Sequence, residues 1–403
     1  MRAACVGAGP AGLYFSILMK LADPAHEVTV YERNPADSTY GLGVTFRDDL
    51  LADLRAGDRE SADAIESAAT SWTGQVVSVA GVSSLTDGGA YGIGRQRLLD
   101  ILASRARDLG VRLEFSHEVT DPAQLPGVDL LVASDGVSSR IRQRSSAFGT
   151  DLRVGANKYL WLGTDKVFEP FSFIFARTDA GWIWAGAHSY TPAVSAFLVE
   201  CTARTWEGLG FGAMTPGESA STVEKIFADH LDGHGLTVQA REGTDPWRNF
   251  RSVTNERWYD GNTVLLGDAA HATHYSIGSG TKLAMQDAIA LAGALGRHAD
   301  LPVALKSYQT ERQAALHEFQ LHARASARWL ENIDRYIGLP RRQFLALLDD
   351  RRAPLQARIP PRLYYALYRL TERAAFVREL RGLAGRVALR GTGGGGPRPG
   401  ESV

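Results

Sequence analysis

MRAACVGAGPAGLYFSILMKLADPAHEVTVYER, residues 1–33, is the stretch whose reading decides how the rest of the chain is organised. It reads as a short apolar strand ending near Val6, a turn Gly7-Ala8-Gly9-Pro10-Ala11-Gly12 that opens an apolar helix, and a second strand, Glu27 to Tyr31, that delivers Glu32. Gly7 permits the tight strand-to-helix turn, Gly9 has no side chain to hold a pyrophosphate away from the backbone, and Gly12 lets the helix lie close on the sheet. The N–H groups and positive dipole end of the helix favour a diphosphate. Glu32 follows Gly12 by about 20 residues, where a carboxylate can accept from ribose hydroxyls. Ala11 within the turn and Arg33 beside Glu32 are counted with this nucleotide site.

At 403 residues the chain is long enough for two or three packed units. With 44 basic and 45 acidic residues no global field points to nucleic acid. The two cysteines, Cys5 and Cys201, make neither a disulfide framework nor a zinc site, so no metal centre is expected. The N-terminus lacks the basic and apolar regions of a secretory signal, and no apolar run approaches a membrane span, so a cytoplasmic protein without membrane association is expected.

Outward from the first unit, Tyr40 to Arg47 reads either as a flap beside a cofactor or as a plain connection with a solvated Arg47. Alternation through Val77, Val79 and Val82 predicts an antiparallel excursion, and Gly92 to Arg97 leads into a helix carrying Leu98, Leu99, Ile101 and Leu102. Val128 to Ala133 is a buried strand closed by Ser134-Asp135-Gly136, which reads as a ligand-facing strand end or as a simple turn. Phe171, Phe173 and Phe175, a turn at Asp179-Ala180-Gly181, and Trp182 and Trp184 on the return predict a β-hairpin whose aromatic face walls a pocket or covers a core. Val264 to Leu266 is again a strand, followed by Gly267-Asp268 and, after a loop, Gly278-Ser279-Gly280 at the start of a long helix, a second place where helix N–H groups face a ligand. Leu301 to about Leu389 is helical, and the end is low-complexity.

The Gly7 to Glu32 unit, Asp135-Gly136 and Gly267-Asp268, in this order and spacing, resemble the three fingerprints of the FAD-dependent aromatic hydroxylases of the para-hydroxybenzoate hydroxylase class. The segments THYSIGSGTKLAMQDAIAL, KYLWLGT and ENIDRY are most similar to the branch of salicylyl-CoA 5-hydroxylases and 2-aminobenzoyl-CoA monooxygenases, with a violacein-pathway tryptophan hydroxylase more distant. The chain departs from the wider family at His274-Tyr275 and Lys282, where prolines and an asparagine are usual. The resemblance implies an α/β fold: a Rossmann-like FAD-binding domain with an inserted antiparallel-sheet substrate domain and C-terminal helices. FAD-binding parts are placed at 1–72, 91–155 and 253–300, the substrate domain at 73–90 and 156–252, a helical region at 301–388 and a disordered tail at 389–403.

By the same resemblance Gly7, Gly9, Gly12 and Glu32 hold the ADP half of FAD, Arg95 contacts the flavin, Asp135, Gly136, Ser139 and Arg142 form the motif tied to both FAD and NAD(P)H, Asp268 binds the ribityl chain, and Gly278, Ser279 and Gly280 lie under the pyrimidine. The resemblance implies that NAD(P)H would reduce the flavin, that O2 would add to give a C4a-hydroperoxide, and that its distal oxygen would pass to an electron-rich ring, that of salicylyl-CoA or of a free aromatic metabolite. Candidates for orienting or deprotonating the phenol are His188, Tyr190, His274 and Tyr275, each of which also reads as a structural residue. Arg241, Arg248 and Arg251 could meet CoA phosphates or solvent, and a monomer or homodimer is expected. Two competing readings differ in chemistry. Trp182-Ile183-Trp184 resembles part of the flavin halogenase motif, but Gly186-Ala187 stand where Ile-Pro belongs, and a flavin-free binder of the same fold has no use for Asp135 and Asp268.

Overall fold

The computed structural model describes residues 1–38, 41–238 and 245–371. Strand Arg2–Val6 lies inside a six-stranded sheet, parallel to Glu27–Tyr31 on one side and to Leu130–Ala133 on the other, with Val6 opposite both Tyr31 and Ala133. Arg112–Glu114 and Thr263–Leu265 extend it in parallel, and Tyr259–Asp260 closes one edge antiparallel. Strand Leu130–Ala133 is apolar throughout and at most 1% exposed, because both faces of this inner parallel strand are covered. Helix Pro10–Ala22 packs between Arg95–Asp108 and Gly280–Arg297, and Leu13, Phe15, Leu102, Leu283 and Leu291 share its core.

All parallel strands end on the same side, so Gly7, Glu32, Ser134 and Gly267 leave the sheet together, the place where open α/β sheets bind ligands. Facing that edge is a second, nine-stranded sheet. Its order is Thr237–Val238, Thr150–Thr164, Val194–Cys201, Gly181–Thr191, Phe171–Thr178, Thr70–Val79, Val82–Gly94 and Gly43–Phe46, with Arg248–Asn255 also paired to Thr150–Thr164. The expected hairpin is present, with Thr178 opposite Gly181.

Two expectations change. The stretch after Gly41 is neither a flap nor a plain connection, because Gly43–Phe46 is a strand paired with Val82–Gly94, and Phe46 stacks on Tyr91 at 5.3 Å; Tyr40 lies outside the described residues. Gly43 is there because the chain runs against Tyr190, where a Cβ would come within 2.7 Å of the side chain. The aromatic hairpin face serves two purposes rather than one. Phe175 and Trp184 are buried in a core with Trp329, Tyr336 and Phe344, from helices Leu301–Glu331 and Arg341–Asp349 and the turn between them, whereas Phe171 and Phe173 open onto a cavity. The chain is helical again from 361 to 371; residues 372–388 of the expected helical region and the tail at 389–403 lie outside the described residues.

Candidate active site

The two sheets enclose a cavity of about 2200 Å³. At its nucleotide end the strand-to-helix turn is shaped by close approach. Gly7 has φ +108° and a Cβ there would stand 2.4 Å from the Ser134 carbonyl oxygen, while one on Gly12 would stand 2.3 Å from that of Gly7. A Cβ on Gly9 would meet nothing within 4 Å, because Gly9 faces open cavity. Helix Pro10–Ala22 starts with proline at its first position, no side-chain cap and no acid in its first turn, so its N–H groups and dipole point at the cavity unanswered by any described residue. Helix Gly280–Arg297 begins on the cavity in the same way, with no cap and no acid. Helix Pro216–Ile226, away from it, carries a full Thr215–Glu218 capping box.

Glu32 is held ready: the N–H of Ala8 donates to its Oε2 at 3.0 Å, and the N–H and Nδ2 of Asn34 donate to its Oε1 at 2.9 and 2.7 Å. Asp135 accepts from the N–H groups of Arg140 and Ile141 through Oδ2 alone, at 2.8 and 3.3 Å; its Oδ1 is buried without a partner, and burial pushes its pKa up. The Nε of Arg95 is likewise buried and unpartnered, and burial lowers its pKa against the pull of Asp268 and Glu32. Buried polar atoms without partners are rare and need a reason. Here an orphaned carboxylate oxygen, an orphaned guanidinium nitrogen, two uncapped helix starts and the space before Gly9 line one cavity. FAD fits this set: hydroxyl and phosphate groups would meet Glu32, the helix starts, Arg95 and Asp268.

Not every residue expected at the cofactor touches the cavity. Gly7, Gly9, Glu32, Arg33, Arg47, Arg95, Asp135, Gly136, Asp268, Gly278, Ser279 and Gly280 line it. Ala11 and Gly12 lie behind it, packing the turn against Gly267 and Ser134. Arg142, linked by sequence to the cofactors, is 2% exposed and donates from Nη1 to Ala269 O at 2.9 Å and from Nη2 to Val137 O at 2.7 Å, so it ties the two acidic loops to each other. The Gly267-Asp268 turn is braced from below by Asp287, fully buried, which accepts from His271 Nε2 at 2.6 Å, Arg312 Nε at 2.7 Å and the Gly267 N–H at 3.2 Å.

The other end of the cavity is a floor of cross-strand pairs. Phe173 stands opposite Gly186, Gly186 opposite Leu198 and Leu198 opposite Trp161, so one row of four strands presents large apolar groups around a glycine gap. In the next row His188 lies between Phe171, whose ring it parallels at 6.1 Å, and Trp72 at 5.7 Å. Burial lowers the His188 pKa to about 4, and its Nε2 has no partner among the described residues. A neutral imidazole with one free nitrogen on an apolar floor is suited to hold a ring hydroxyl.

His274 and Tyr275 part company. Tyr275 lines the cavity, stacks on Phe250 at 4.6 Å and donates its hydroxyl to the buried Glu200, whose Oε1 also accepts from Asn157 Nδ2 at 2.6 Å. His274 lies behind the wall, where its Nδ1 accepts from the Ser276 N–H at 3.3 Å and meets Ser276 Oγ at 2.8 Å, and burial with Arg351 nearby lowers its pKa to about 3. The structure therefore brings Tyr275, His188 and Tyr190 to the cavity and leaves His274 out of it. Sequence reasoning missed Glu200, Asp287 and Arg351. Arg351 donates from Nη2 to Ser276 O at 3.0 Å and lies 5.9 Å over the Phe173 ring. The only sequence signals for Glu200 and Asp287 are single acids inside apolar segments, AFLVEC and MQDAIAL.

Among the described residues no cluster could hold a metal ion and no helix is long and apolar enough to cross a membrane. A protein-family profile described as "FAD binding domain" matches residues 1–320. The chain is 38% identical to a salicyloyl-CoA 5-hydroxylase of a Streptomyces species over 84% of its own length and 66% of that protein's. It is 36% identical to the 3-hydroxy-4-methyl-anthranilyl-[aryl-carrier protein] 5-monooxygenase of Streptosporangium sibiricum, covering 87% of this chain and 93% of the other. It is 31% identical to the protodeoxyviolaceinate monooxygenase of Chromobacterium violaceum, covering 92% and 100%. The fold is shared with 2-methyl-3-hydroxypyridine-5-carboxylic acid oxygenase (TM-score 0.66, 19% identity, 82% of this chain and 92% of that one) and with P. aeruginosa PqsL (TM-score 0.65, 20% identity, 84% and 98%). Fingerprint, sheet topology, cavity and these matches agree, and the chain belongs to the FAD-binding-domain family of flavin-dependent monooxygenases.

Proposed function

We propose that this chain hydroxylates an electron-rich aromatic ring carried as a thioester, with NAD(P)H and O2 as co-substrates, and that its reaction is the 5-hydroxylation of salicylyl-CoA. The observation that carries the reading is the floor around Gly186, apolar except for two buried and unpartnered nitrogens, His188 Nε2 and Trp161 Nε1. The Gly7–Gly9 turn, Glu32, Arg95, Asp135 and Asp268 would hold FAD, which when bound would supply hydride uptake from the nicotinamide and activation of O2.

The chain's own residues do the rest. Phe171, Phe173, Leu198 and Trp161 orient the ring and exclude water from the reacting atoms. His188, neutral at physiological pH, positions the phenolic oxygen at Nε2. The uncapped start of helix Gly280–Arg297 presents N–H groups where negative charge develops. Two of the relatives are named for aryl thioesters, one of CoA and one of a carrier protein, which supports a thioester here. Arg248 and Arg251 line the same cavity, where they would meet CoA phosphates, and Arg241 lies outside the described residues. The reading carries with it a cytoplasmic location and a monomer or homodimer.

The test is NADH and NADPH oxidation by the purified yellow protein with and without salicylyl-CoA, with free salicylate as control and mass analysis of the product. Stimulation by the thioester with gain of one oxygen at the 5-position is expected. Stimulation by free salicylate or tryptophan instead would move the substrate to the free aromatic class.

A further inference from the structure

Glu200 is out of place by the rules of its own strand. Val194–Cys201 is otherwise lined inward by apolar residues, and Glu200 lies on the same sheet face as Leu198, which floors the cavity; its strand neighbours across the sheet are Trp184 and Tyr159. It is 0% exposed, and Tyr275 stands between it and the cavity. A buried carboxylate without a cation against it is costly unless it is neutral or put to use. The donors around it are neutral: Asn157 Nδ2 on Oε1, the Tyr275 hydroxyl on Oε2 and, beside them, the Trp184 indole N–H. Because the Tyr275 proton is given to Glu200, the Tyr275 oxygen keeps two lone pairs, one beside the Trp184 indole N–H and one left to accept from a bound group.

We infer that Glu200 is a positioning residue of the hydroxylation site: it draws the Tyr275 proton inward so that the Tyr275 oxygen accepts the phenolic proton of the bound ring. This rests on the aromatic-hydroxylase reading above. The step balances without redox change. The ring O–H proton passes to the Tyr275 oxygen, the Tyr275 proton passes to Glu200 Oε2, and the products are a ring phenolate, a neutral tyrosine and a neutral carboxylic acid.

Burial raises the Glu200 pKa to about 7, with Tyr275, Asn157 and the Trp184 indole N–H pulling the other way. The other titratable groups facing the pair are Glu331, which raises Glu200 further, Cys201 beside it, Arg351 near Tyr275, and His274, whose ring is 4.7 Å from that of Tyr275. The carboxyl thus ionises with rising pH through about 7, and turnover should rise along the same limb.

Two readouts on the FAD-loaded full chain test this. Infrared difference titration of wild type against Glu200→Gln reads the protonated carboxyl directly and needs no substrate. A band lost near pH 7 is expected, moving to higher pH in Tyr275→Phe because a donor to the charged form is gone; a band titrating in the ordinary range near 4.3, or one that Tyr275→Phe does not move, would overturn the inference. The second readout is the pH profile of coupled salicylyl-CoA hydroxylation. The limb near 7 should vanish in both variants, with at least about a hundredfold loss above it, the low end of proton-transfer contributions, and a uniform loss that leaves the limb in place would show a purely structural role. Should Glu200→Gln fail to fold, Tyr275→Phe decides both readouts. A wild-type protein that titrates as expected but ignores salicylyl-CoA would sink the substrate assignment and leave the carboxyl's behaviour standing.

Discussion

The cavity's two ends differ in what they are made of. At the nucleotide end the ligand-facing groups are mostly backbone: two helix starts, glycines at Gly9 and Gly136 with nothing where a Cβ would stand, and a few acids held by main-chain N–H groups. At the ring end they are side chains from four strands in cross-strand register, with a loop and the C-terminal segment folded over them. A backbone site is specified by spacing along the chain, and a side-chain site by which residues happen to stand opposite one another. The first should break through the fold, the second through the reaction.

Asp287→Asn tests the nucleotide end most severely. It leaves Arg312 and His271 buried without their carboxylate, and a loss of about 3–5 kcal/mol in unfolding free energy is expected. Burial alone would raise the Asp287 pKa, but His271 and Arg312 hold it below the ordinary value. That stabilisation is therefore present above the unfolded carboxyl pKa, about 3.9, and fades as pH falls through the lower folded value, so denaturant midpoints of wild type and variant should converge in acid. Gly12→Ala comes next, at about 3 kcal/mol from overpacking against the Gly7 carbonyl. Gly9→Ala is its control. The space is open, so stability should stay within about 0.5 kcal/mol while bound FAD, read from the visible spectrum, falls. If both glycine variants lost stability equally, the assignment of Gly9 to ligand rather than packing would be wrong.

At the ring end His188→Phe should keep its FAD yet lose roughly 10- to 100-fold in kcat/KM, the worth of one hydrogen bond to a charged oxygen. With the imidazole neutral down to about pH 4, the limb near 7 assigned to Glu200 should persist in His188→Phe. Gly186→Ala is the mildest: its Cβ would sit 3.6 Å from Phe171, an ordinary contact, so stability should hold while KM rises for bulkier rings. A KM that did not respond to ring size would remove the Gly186 gap from the substrate site.

The same contrast explains what could be read in advance. That Gly7, Gly9, Glu32, Asp135 and Asp268 line the cavity was legible because each sits at a fixed distance from a strand end or a helix start, and local spacing survives in a linear sequence. Gly12 packs the helix on the sheet as its place in the motif predicts, but Ala11 beside it also lies behind the cavity, which spacing does not separate from contact with a ligand. Alternation placed Phe171, Phe173, Phe175, Trp182 and Trp184 on a hairpin. It could not divide them between cavity and core, because that division is made by Trp329, Tyr336 and Phe344, far along the chain. His274 and Tyr275 are neighbours in sequence, yet only Tyr275 lines the cavity, since the His274 ring caps its own turn onto Ser276. Arg351 carried no signal at all, coming from a helical region without a motif.

Arg351 also fixes an order of events. A chain growing from its N-terminus can form the Gly7–Gly12 turn within its first strand and helix, but the carbonyl of Ser276, just before the second helix start, gains its guanidinium donor only when residue 351 has been made. A nascent chain stopped between helix Leu301–Glu331 and Arg351 would hold all the nucleotide-end residues while the ring-end wall was still incomplete. Ribosome-bound chains of increasing length, assayed for flavin fluorescence and then for ring-ligand binding, would show the two capacities arriving separately.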